Sequence, residues 1–125
     1  KPSMESSNFE TFTVHLYEDI AILKLTEKRI YMQTSDKFGD EIIRFFESAV
    51  NSVIFDLSQV SVMNSAALGV LIGAQNEIEK RDGRLSVAGL QPLMKDIFER
   101  MRLELLFEID DSVQVARERL EKPQK

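Results

Sequence analysis

Apolar and polar residues repeat with two different periods along this chain. Residues 10–16 and 20–25 alternate at every second position on either side of a polar Tyr17-Glu18-Asp19, which predicts a β-hairpin. Four later stretches repeat apolar residues at intervals of three and four, as amphipathic helices do, and short apolar runs between them are typical of buried strands. The expected order β-β-α-β-α-β-α-β-α indicates an α/β domain with a four- to five-stranded, mixed, mostly parallel sheet and about four α-helices packed against it.

The first predicted helix is strongly amphipathic. Residues 34–36 offer a start signal for it, because Thr, Ser and Asp favour the beginning of a helix. Residues 26–33, just before it, have no clean period and are expected to form a loop. The residues predicted to face the core in this helix are Phe38, Ile42, Ile43, Phe45, Phe46 and Ala49.

Turn and capping signals divide the second half of the chain. Gly83 is expected to stop the second helix in a left-handed conformation, and Pro92 to occupy the first position of the third helix, where proline is tolerated. Residues 105–107 are predicted to form the last strand, and Asp110 or Asp111 to cap the final helix. The predicted buried face of the third helix comprises Met94, Ile97, Phe98 and Met101.

The most informative segment joins a buried strand to a helix with two dissimilar faces. Residues 52–57 are almost continuously apolar, which suits a central strand covered on both sides. The helix predicted for residues 65–81 has two faces. The face toward the core is a stripe of Ala67, Leu71, Ala74 and Ile78, widened by Leu68 and Ile72. The opposite face is a ridge of Ser65, Gly69, Gly73, Asn76 and Lys80. Two glycines in an exposed helix cost about 1 kcal/mol each relative to alanine. Either they form a flat surface for another protein, or they let a neighbouring element of the same domain approach.

Ser65 lies in the first turn of this helix, where unpaired backbone N–H groups and the positive end of the helix dipole collect. That position favours a phosphate group, which would add about −1.5 to −2 charges at pH 7. Such a charge would repel an acidic partner. Asn64 or Ser65 can instead simply cap the helix, and the residues alone leave both interpretations open.

Composition excludes several classes of function. With 125 residues the chain is expected to form one domain, residues 4–121, with a cloning remnant at residues 1–3 and a polar tail at residues 122–125. The 16 basic and 21 acidic residues give a net charge of −5 without a basic stripe, so nucleic acid is not an expected ligand. No apolar stretch approaches the length of a membrane span, and a cytoplasmic protein is expected. There is no cysteine and a single histidine, His15, so neither a metal site nor a cofactor is expected.

The central segment resembles a known family, the sulfate transporter and anti-sigma factor antagonist domain, abbreviated STAS. The strand that carries the likeness is Val53-Ile54-Phe55-Asp56-Leu57-Ser58 followed by Val60, and the turn and helix start are Met63-Asn64-Ser65-Ala66-Ala67-Leu68-Gly69-Val70-Leu71. The likeness continues through Gly83-Arg84-Leu85-Ser86-Val87-Ala88-Gly89-Leu90 and Leu103-Glu104-Leu105-Leu106-Phe107, and covers roughly residues 10–120. It implies a STAS-like fold.

Similarity to this family also implies a partner switch in bacterial signalling. Antagonists of the family bind an anti-sigma factor that is also a serine kinase, lose that partner on phosphorylation, and are restored by a metal-dependent serine phosphatase. By position, the phosphorylated residue here would be Ser65, and the domain would be a non-enzymatic protein involved in transcription regulation. A monomer is expected by default for a small regulatory domain with one exposed binding ridge. The partner-binding residues implied are Asn64, Ser65, Ala66, Gly69, Gly73 and Asn76.

The turn departs from the family pattern at three positions. Asn64 stands where the family has an aspartate, Ala66 where it has a second Ser or Thr, and Ala67 where it has a glycine. The first loop departs as well, with Glu27-Lys28-Arg29-Ile30 in place of a glycine and an acidic residue. The alternative is therefore a STAS scaffold that binds without phosphorylation, in a signalling or transporter-associated complex.

An enzyme is a third interpretation, and the residues disfavour it. Ser65 has no histidine base in the pattern, and no glycine-rich phosphate loop is present. Asp56 and Glu27 could be imagined as an acid and base pair. An aspartate at the end of a central strand more often tethers the following turn, and that is the expected role of Asp56.

Overall fold

Seven strands and four α-helices alternate along the part of the chain that the computed structural model describes, residues 9–122. The expected cloning remnant at residues 1–3 and residues 123–125 of the polar tail lie outside this range. The strands are β1 (Phe12–Tyr17), β2 (Ile20–Leu25), β3 (Arg29–Ile30), β4 (Ser52–Asp56), β5 (Val62–Met63), β6 (Arg84–Ala88) and β7 (Glu108–Asp110). The helices are α1 (Gln33–Phe45), α2 (Ser65–Lys80), α3 (Pro92–Arg100) and α4 (Val113–Glu121).

The main sheet has five strands in the order β1-β2-β4-β6-β7. β1 and β2 form the predicted antiparallel hairpin, and the remaining neighbours are parallel. The predicted mixed, mostly parallel sheet with four helices is confirmed. Because parallel strands share one carboxyl edge, the segments that follow β4 and β6 meet there, and the Gln91 side chain donates to Ser58 O across that edge at 2.8 Å.

The helices cover both faces of this sheet. The larger core cluster contains Val53 and Phe55 of β4 together with buried residues of α1, α2 and α3. The smaller cluster joins Ile54 of the same strand to Ala116 and Leu120 of α4. Successive side chains of a strand point to opposite faces, so the continuous apolar run of β4 is the expected consequence of its central position.

A second, two-stranded parallel sheet pairs β3 with β5 beside the start of α2. The expectation that residues 26–33 form only loop was wrong at Arg29–Ile30. A strand of two residues is too short to show a period, and its formation depends on a partner more than thirty positions away: Arg29 pairs with Val62, and Ile30 with Met63. None of the helices between residues 9 and 122 is long and apolar enough to span a membrane.

The predictions for the last strand and for the N-terminal cap of α4 were wrong. Residues 103–105 form a short 3-10 helix with Leu105 77% exposed, and the strand begins only at Glu108. Leu103 and Phe107 are buried, so this apolar run packs against the core instead of pairing with β6. Ser112 caps α4 by accepting from Val115 N at 3.1 Å. Asp110 does not cap because its carboxylate is held by the Ser86 hydroxyl and the Arg119 guanidinium.

Two further local predictions, about the end of α2 and about buried residues, were wrong. Asp82, not Gly83, takes the left-handed conformation after α2, with φ of 54°. Gly83 is required for space, because a Cβ there would lie 2.0 Å from Asn51 O. Three residues predicted to be buried are exposed instead: Ile43, which is 71% exposed on α1, and Ala49 and Met101, which lie beyond the ends of α1 and α3.

A buried carboxylate fastens the beginning of β1 to α1. Glu41 is only 6% exposed, and it accepts from Glu10 N at 2.7 Å, Thr11 N at 2.9 Å and the Thr11 hydroxyl at 2.6 Å. Burial alone would raise the pKa of Glu41, but these hydrogen bonds outweigh it and the net pKa is lowered. The ionised form of Glu41 therefore contributes to the stability of the fold.

Candidate functional site

Ser65 is the first residue of α2 and its side chain points into solvent. The helix begins here because Asn64 has an extended backbone and its Oδ1 accepts from Ala67 N at 2.9 Å. Asn64 O accepts from Leu68 N at 3.1 Å. The cap is thus Asn64, and the Ser65 hydroxyl makes no hydrogen bond within residues 9–122, so capping and an accessible serine coexist.

The first backbone N–H groups of α2 are unused. Neither Ser65 N nor Ala66 N donates to a described acceptor, since the Asn64 side chain serves Ala67 N alone. The end of the 16-residue helix at which Ser65 lies therefore carries two free donors and the positive end of the helix dipole. A negative group attached at this hydroxyl would find favourable electrostatics within its own chain.

The two-stranded sheet holds the cap in place through residues that the sequence pattern did not single out. Asn64 N donates to Ile30 O at 3.0 Å, and Asn64 Nδ2 lies 3.4 Å from the Ser35 hydroxyl oxygen. The Ser35 hydroxyl in turn donates to Met32 O at 2.6 Å. A serine on the buried side of an amphipathic helix is the only sequence signal that could have drawn attention to Ser35.

The predicted ridge of α2 is exposed along its length. Gly69, Gly73 and Asn76 follow Ser65 on the face away from the core, and Ala66 is exposed beside them. A Cβ added at Gly69 or Gly73 would meet nothing within 4 Å in the described part of the chain. No element within residues 9–122 packs against these two glycines, which leaves a flat stretch of backbone open to another molecule.

Gly39 is the glycine that does serve packing between helices. A Cβ at this position of α1 would lie 3.3 Å from Val70 Cγ2 of α2. Beside this crossing, an open apolar groove of about 450 Å³ runs between the two helices, with Ile43, Phe46 and Gly73 among its walls. Arg81 lies at one end, where its guanidinium donates to Phe46 O, Ser48 O and Val50 O, so its role there is structural.

No hydrogen bond joins the residues considered for catalysis to one another within residues 9–122. Asp56 Oδ1 accepts from Ser58 N at 2.9 Å, which confirms its predicted role in tethering the turn after β4. Glu27 lies with Glu10 and Lys37 near the start of α1, and His15 is exposed on β1. Residues 9–122 contain no group of three His, Cys, Asp or Glu side chains arranged to hold a metal ion.

The pattern of strands, helices and turn matches a protein family over most of its length. Residues 11–116 match the family model of the STAS domain. The chain belongs to the STAS domain family. The resemblance inferred from residues 53–71 is therefore confirmed at the level of the family.

Solved STAS structures share this fold at low sequence identity. An anti-sigma factor antagonist from Mycobacterium paratuberculosis is 18% identical, with a TM-score of 0.80 over 90% of this chain and 94% of the other. The Bacillus cell fate determinant SpoIIAA in its phosphorylated form is 21% identical, with a TM-score of 0.66 over 86% and 97% of the two chains. A chain of the stressosome, described as a signal integration and transduction hub, is 19% identical, with a TM-score of 0.69 over 86% and 95%.

The open ridge leads to a first prediction about stability. Gly73→Ala is expected to raise the free energy of unfolding by about 1 kcal/mol, because alanine favours the helix and its Cβ meets no neighbour. Gly39→Ala is the matched control, since its Cβ would press against Val70 and should yield a smaller gain or a loss. Urea denaturation of the two variants measures the difference. A loss of stability in Gly73→Ala would show that the ridge is already covered.

Proposed function

We propose that this protein is an anti-sigma factor antagonist that acts by partner switching. The ridge of α2, with Asn64, Ser65, Ala66, Gly69, Gly73 and Asn76, binds a kinase-type anti-sigma factor. Phosphorylation of Ser65 ends that binding, and a metal-dependent serine phosphatase restores it. The observation that carries the proposal is the exposed hydroxyl of Ser65 at the start of α2. Within the described range this hydroxyl makes no hydrogen bond, and no other element packs on the glycines of the outward helix face.

The geometry supports a switch that acts on the partner and leaves the fold intact. A phosphate on Ser65 would lie beside the free N–H groups of Ser65 and Ala66, where the helix dipole favours negative charge. The added charge of about −1.5 to −2 would then be accommodated within the domain. The same charge would obstruct a protein surface packed closely over the ridge, because an unpaired charge would have to be desolvated there.

Asn64, which replaces the family aspartate, has a hydrogen-bond partner in Ser35. The amide can donate to the Ser35 hydroxyl oxygen, 3.4 Å away, while its own oxygen accepts from Ala67 N. An aspartate could cap the helix but could not donate to Ser35. The cap is therefore matched to its surroundings, and the kinase of this chain would recognise Ser65 without a preceding carboxylate.

Mass spectrometry tests the switch directly. The intact protein isolated from its native cell is expected to carry one phosphate that the Ser65→Ala variant lacks. The purified chain should acquire the same phosphate when incubated with ATP and its anti-sigma factor kinase. If no condition of growth or stress produced phosphate on Ser65, the switch would be refuted.

A second candidate is a STAS module that binds its partner without a switch, in a signalling or transporter-associated complex. It is favoured by one observation: both ends of the Asn64 amide are engaged within the domain, by Ala67 N and Ser35, and the side chain offers a kinase no charge. Binding that is identical for the wild-type chain and for every form treated with kinase and ATP would support this candidate over the first. We place the protein in the bacterial cytoplasm, as a monomer, in either case.

A further inference from the structure

Met32, directly before α1, has a backbone conformation that side chains normally avoid. Its φ of 54° and ψ of −130° belong to a region that glycine occupies easily and other residues do not. Arg102, which also has a positive φ, lies in the ordinary left-handed region with ψ of 35°. Two hydrogen bonds stabilise the unusual conformation, because Met32 O accepts from Ser35 N at 3.1 Å and from the Ser35 hydroxyl at 2.6 Å.

The strained turn exposes apolar side chains instead of burying them. Met32 is 70% exposed and Tyr31 before it is 45% exposed, whereas Ile30 is completely buried. The strain is therefore not offset by packing of the methionine in the core. Backbone strain of this kind persists where the surrounding structure enforces it, and it concentrates at binding sites.

The turn is attached to the same residue that precedes Ser65. Asn64 contacts Ser35 through its side chain and Ile30 O through its N–H, so two hydrogen bonds join the turn to the start of α2. Lys28 and Arg29, on the same short segment, are exposed and form no ion pair with a described residue. Glu27, directly before Lys28, and Asp36, in the first turn of α1, are the acidic residues nearest in sequence, and neither forms an ion pair with Lys28 or Arg29.

We infer that Met32, with Tyr31 beside it, is the apolar anchor through which this domain recognises the anti-sigma factor kinase. The inference rests on the proposed function and adds the chemistry of the partner. The partner presents an apolar pocket for the flexible methionine, bordered by carboxylates that face Lys28, Arg29 and the positive end of α2. The contacts from Ser35 to Met32 O fix the backbone of Met32 in the free domain, where its side chain is 70% exposed.

Two substitutions at Met32 separate an anchor from a structural residue. Met32→Gly removes the side chain and relieves the strain, so its melting temperature is expected to rise while its affinity falls. Met32→Ala keeps the backbone restraint and removes the side chain, and it is expected to weaken binding by about tenfold or more. Met101→Ala is the matched control, because Met101 is an exposed methionine at the far end of α3.

The probes are the serine-kinase anti-sigma factors of the native genome, each purified and titrated separately against the full chain by calorimetry. A kinase that binds the wild type and Met101→Ala alike, and both Met32 variants more weakly, supports the inference. Equal affinity of Met32→Ala and the wild type would overturn the inference and leave the proposed function standing. If no kinase bound the wild type, the proposed function would fail, and the anchor with it.

Discussion

Ser65→Glu is expected to weaken binding to the anti-sigma factor kinase by about 2 to 5 kcal/mol, which is roughly thirtyfold or more. The glutamate places a negative charge at the first position of α2, on the open ridge over which the partner is proposed to pack. An interface that packs over this position must bury the carboxylate without an opposite charge beside it, which is costly. Otherwise the two surfaces cannot pack closely there. Both outcomes appear as faster dissociation.

The fold itself should tolerate this substitution. Ser65 is exposed, its hydroxyl is unbonded within the described range, and a negative charge in the first turn is favoured by the helix dipole. The melting temperature of Ser65→Glu is therefore expected to equal or slightly exceed that of the wild type. A loss of affinity together with an unchanged melting temperature would assign the effect to the interface and not to unfolding.

Thr13→Glu provides a control of equal charge. Thr13 is exposed on β1, at the edge of the sheet and away from α2. Surface plasmon resonance at two ionic strengths should show a large effect for Ser65→Glu and little for Thr13→Glu, whereas Ser65→Ala should bind like the wild type. If Thr13→Glu weakened binding as strongly as Ser65→Glu, general repulsion between two acidic proteins would be the cause.

Glu41→Gln is expected to lower the free energy of unfolding at pH 7 by about 2 to 4 kcal/mol. The carboxylate of Glu41 accepts three hydrogen bonds in a buried position, from Glu10 N, Thr11 N and the Thr11 hydroxyl. A glutamine has one acceptor oxygen, and its NH₂ group would face one of the donors. A donor would remain unsatisfied, and the beginning of β1 would be held less firmly against α1.

The pH dependence of this effect follows from the lowered pKa of Glu41. Burial opposes ionisation, but the hydrogen bonds outweigh burial, so the folded protein binds the proton less tightly than the unfolded chain does. The stabilisation is then fully present above the ordinary carboxyl value of about 4 and is lost as pH falls through the lowered folded pKa. Asp110 acts in the same direction: burial would raise its pKa, but bonds from Arg119 and Ser86 lower it overall.

Urea denaturation at pH 7 and at about pH 3 tests this argument. The difference in stability between the wild type and Glu41→Gln should be large at pH 7 and should shrink at the lower pH. Protonation of Asp110 at the lower pH should destabilise both proteins alike. Glu47→Gln is the control, since Glu47 is exposed and should change little at either pH. A difference that stayed constant with pH would mean that packing, and not ionisation, makes Glu41 important.

Features that depend only on residues close together in the sequence were predictable. The β1–β2 hairpin, the proline at the first position of α3 and the two faces of α2 all follow from periodicity or from a single residue's conformational preference. The position of Ser65 at the start of α2 belongs to this class, because Asn64 provides a local cap. The pattern of residues was therefore sufficient to locate the candidate site.

The apolar run at residues 103–107 shows where such reasoning fails. A short apolar run fits a buried strand and a packed turn equally well, and only the space beneath α3 decides that Leu103 and Phe107 are buried while Leu105 is exposed. The cap of α4 was misassigned for a related reason. Asp110 has the right residue type, but contacts from Ser86 and Arg119, distant in sequence, occupy its carboxylate.

The α/β class, the order of the main elements and the serine at the start of α2 follow from the sequence alone, because they depend on periods and caps within a few residues. Tertiary structure decided what surrounds that serine: the pairing of β3 with β5, the contact between Asn64 and Ser35, the open face at Gly69 and Gly73, and the strained turn at Met32. Each of these depends on the presence or absence of a neighbour contributed by a distant part of the chain. Local propensity carries no information about such neighbours.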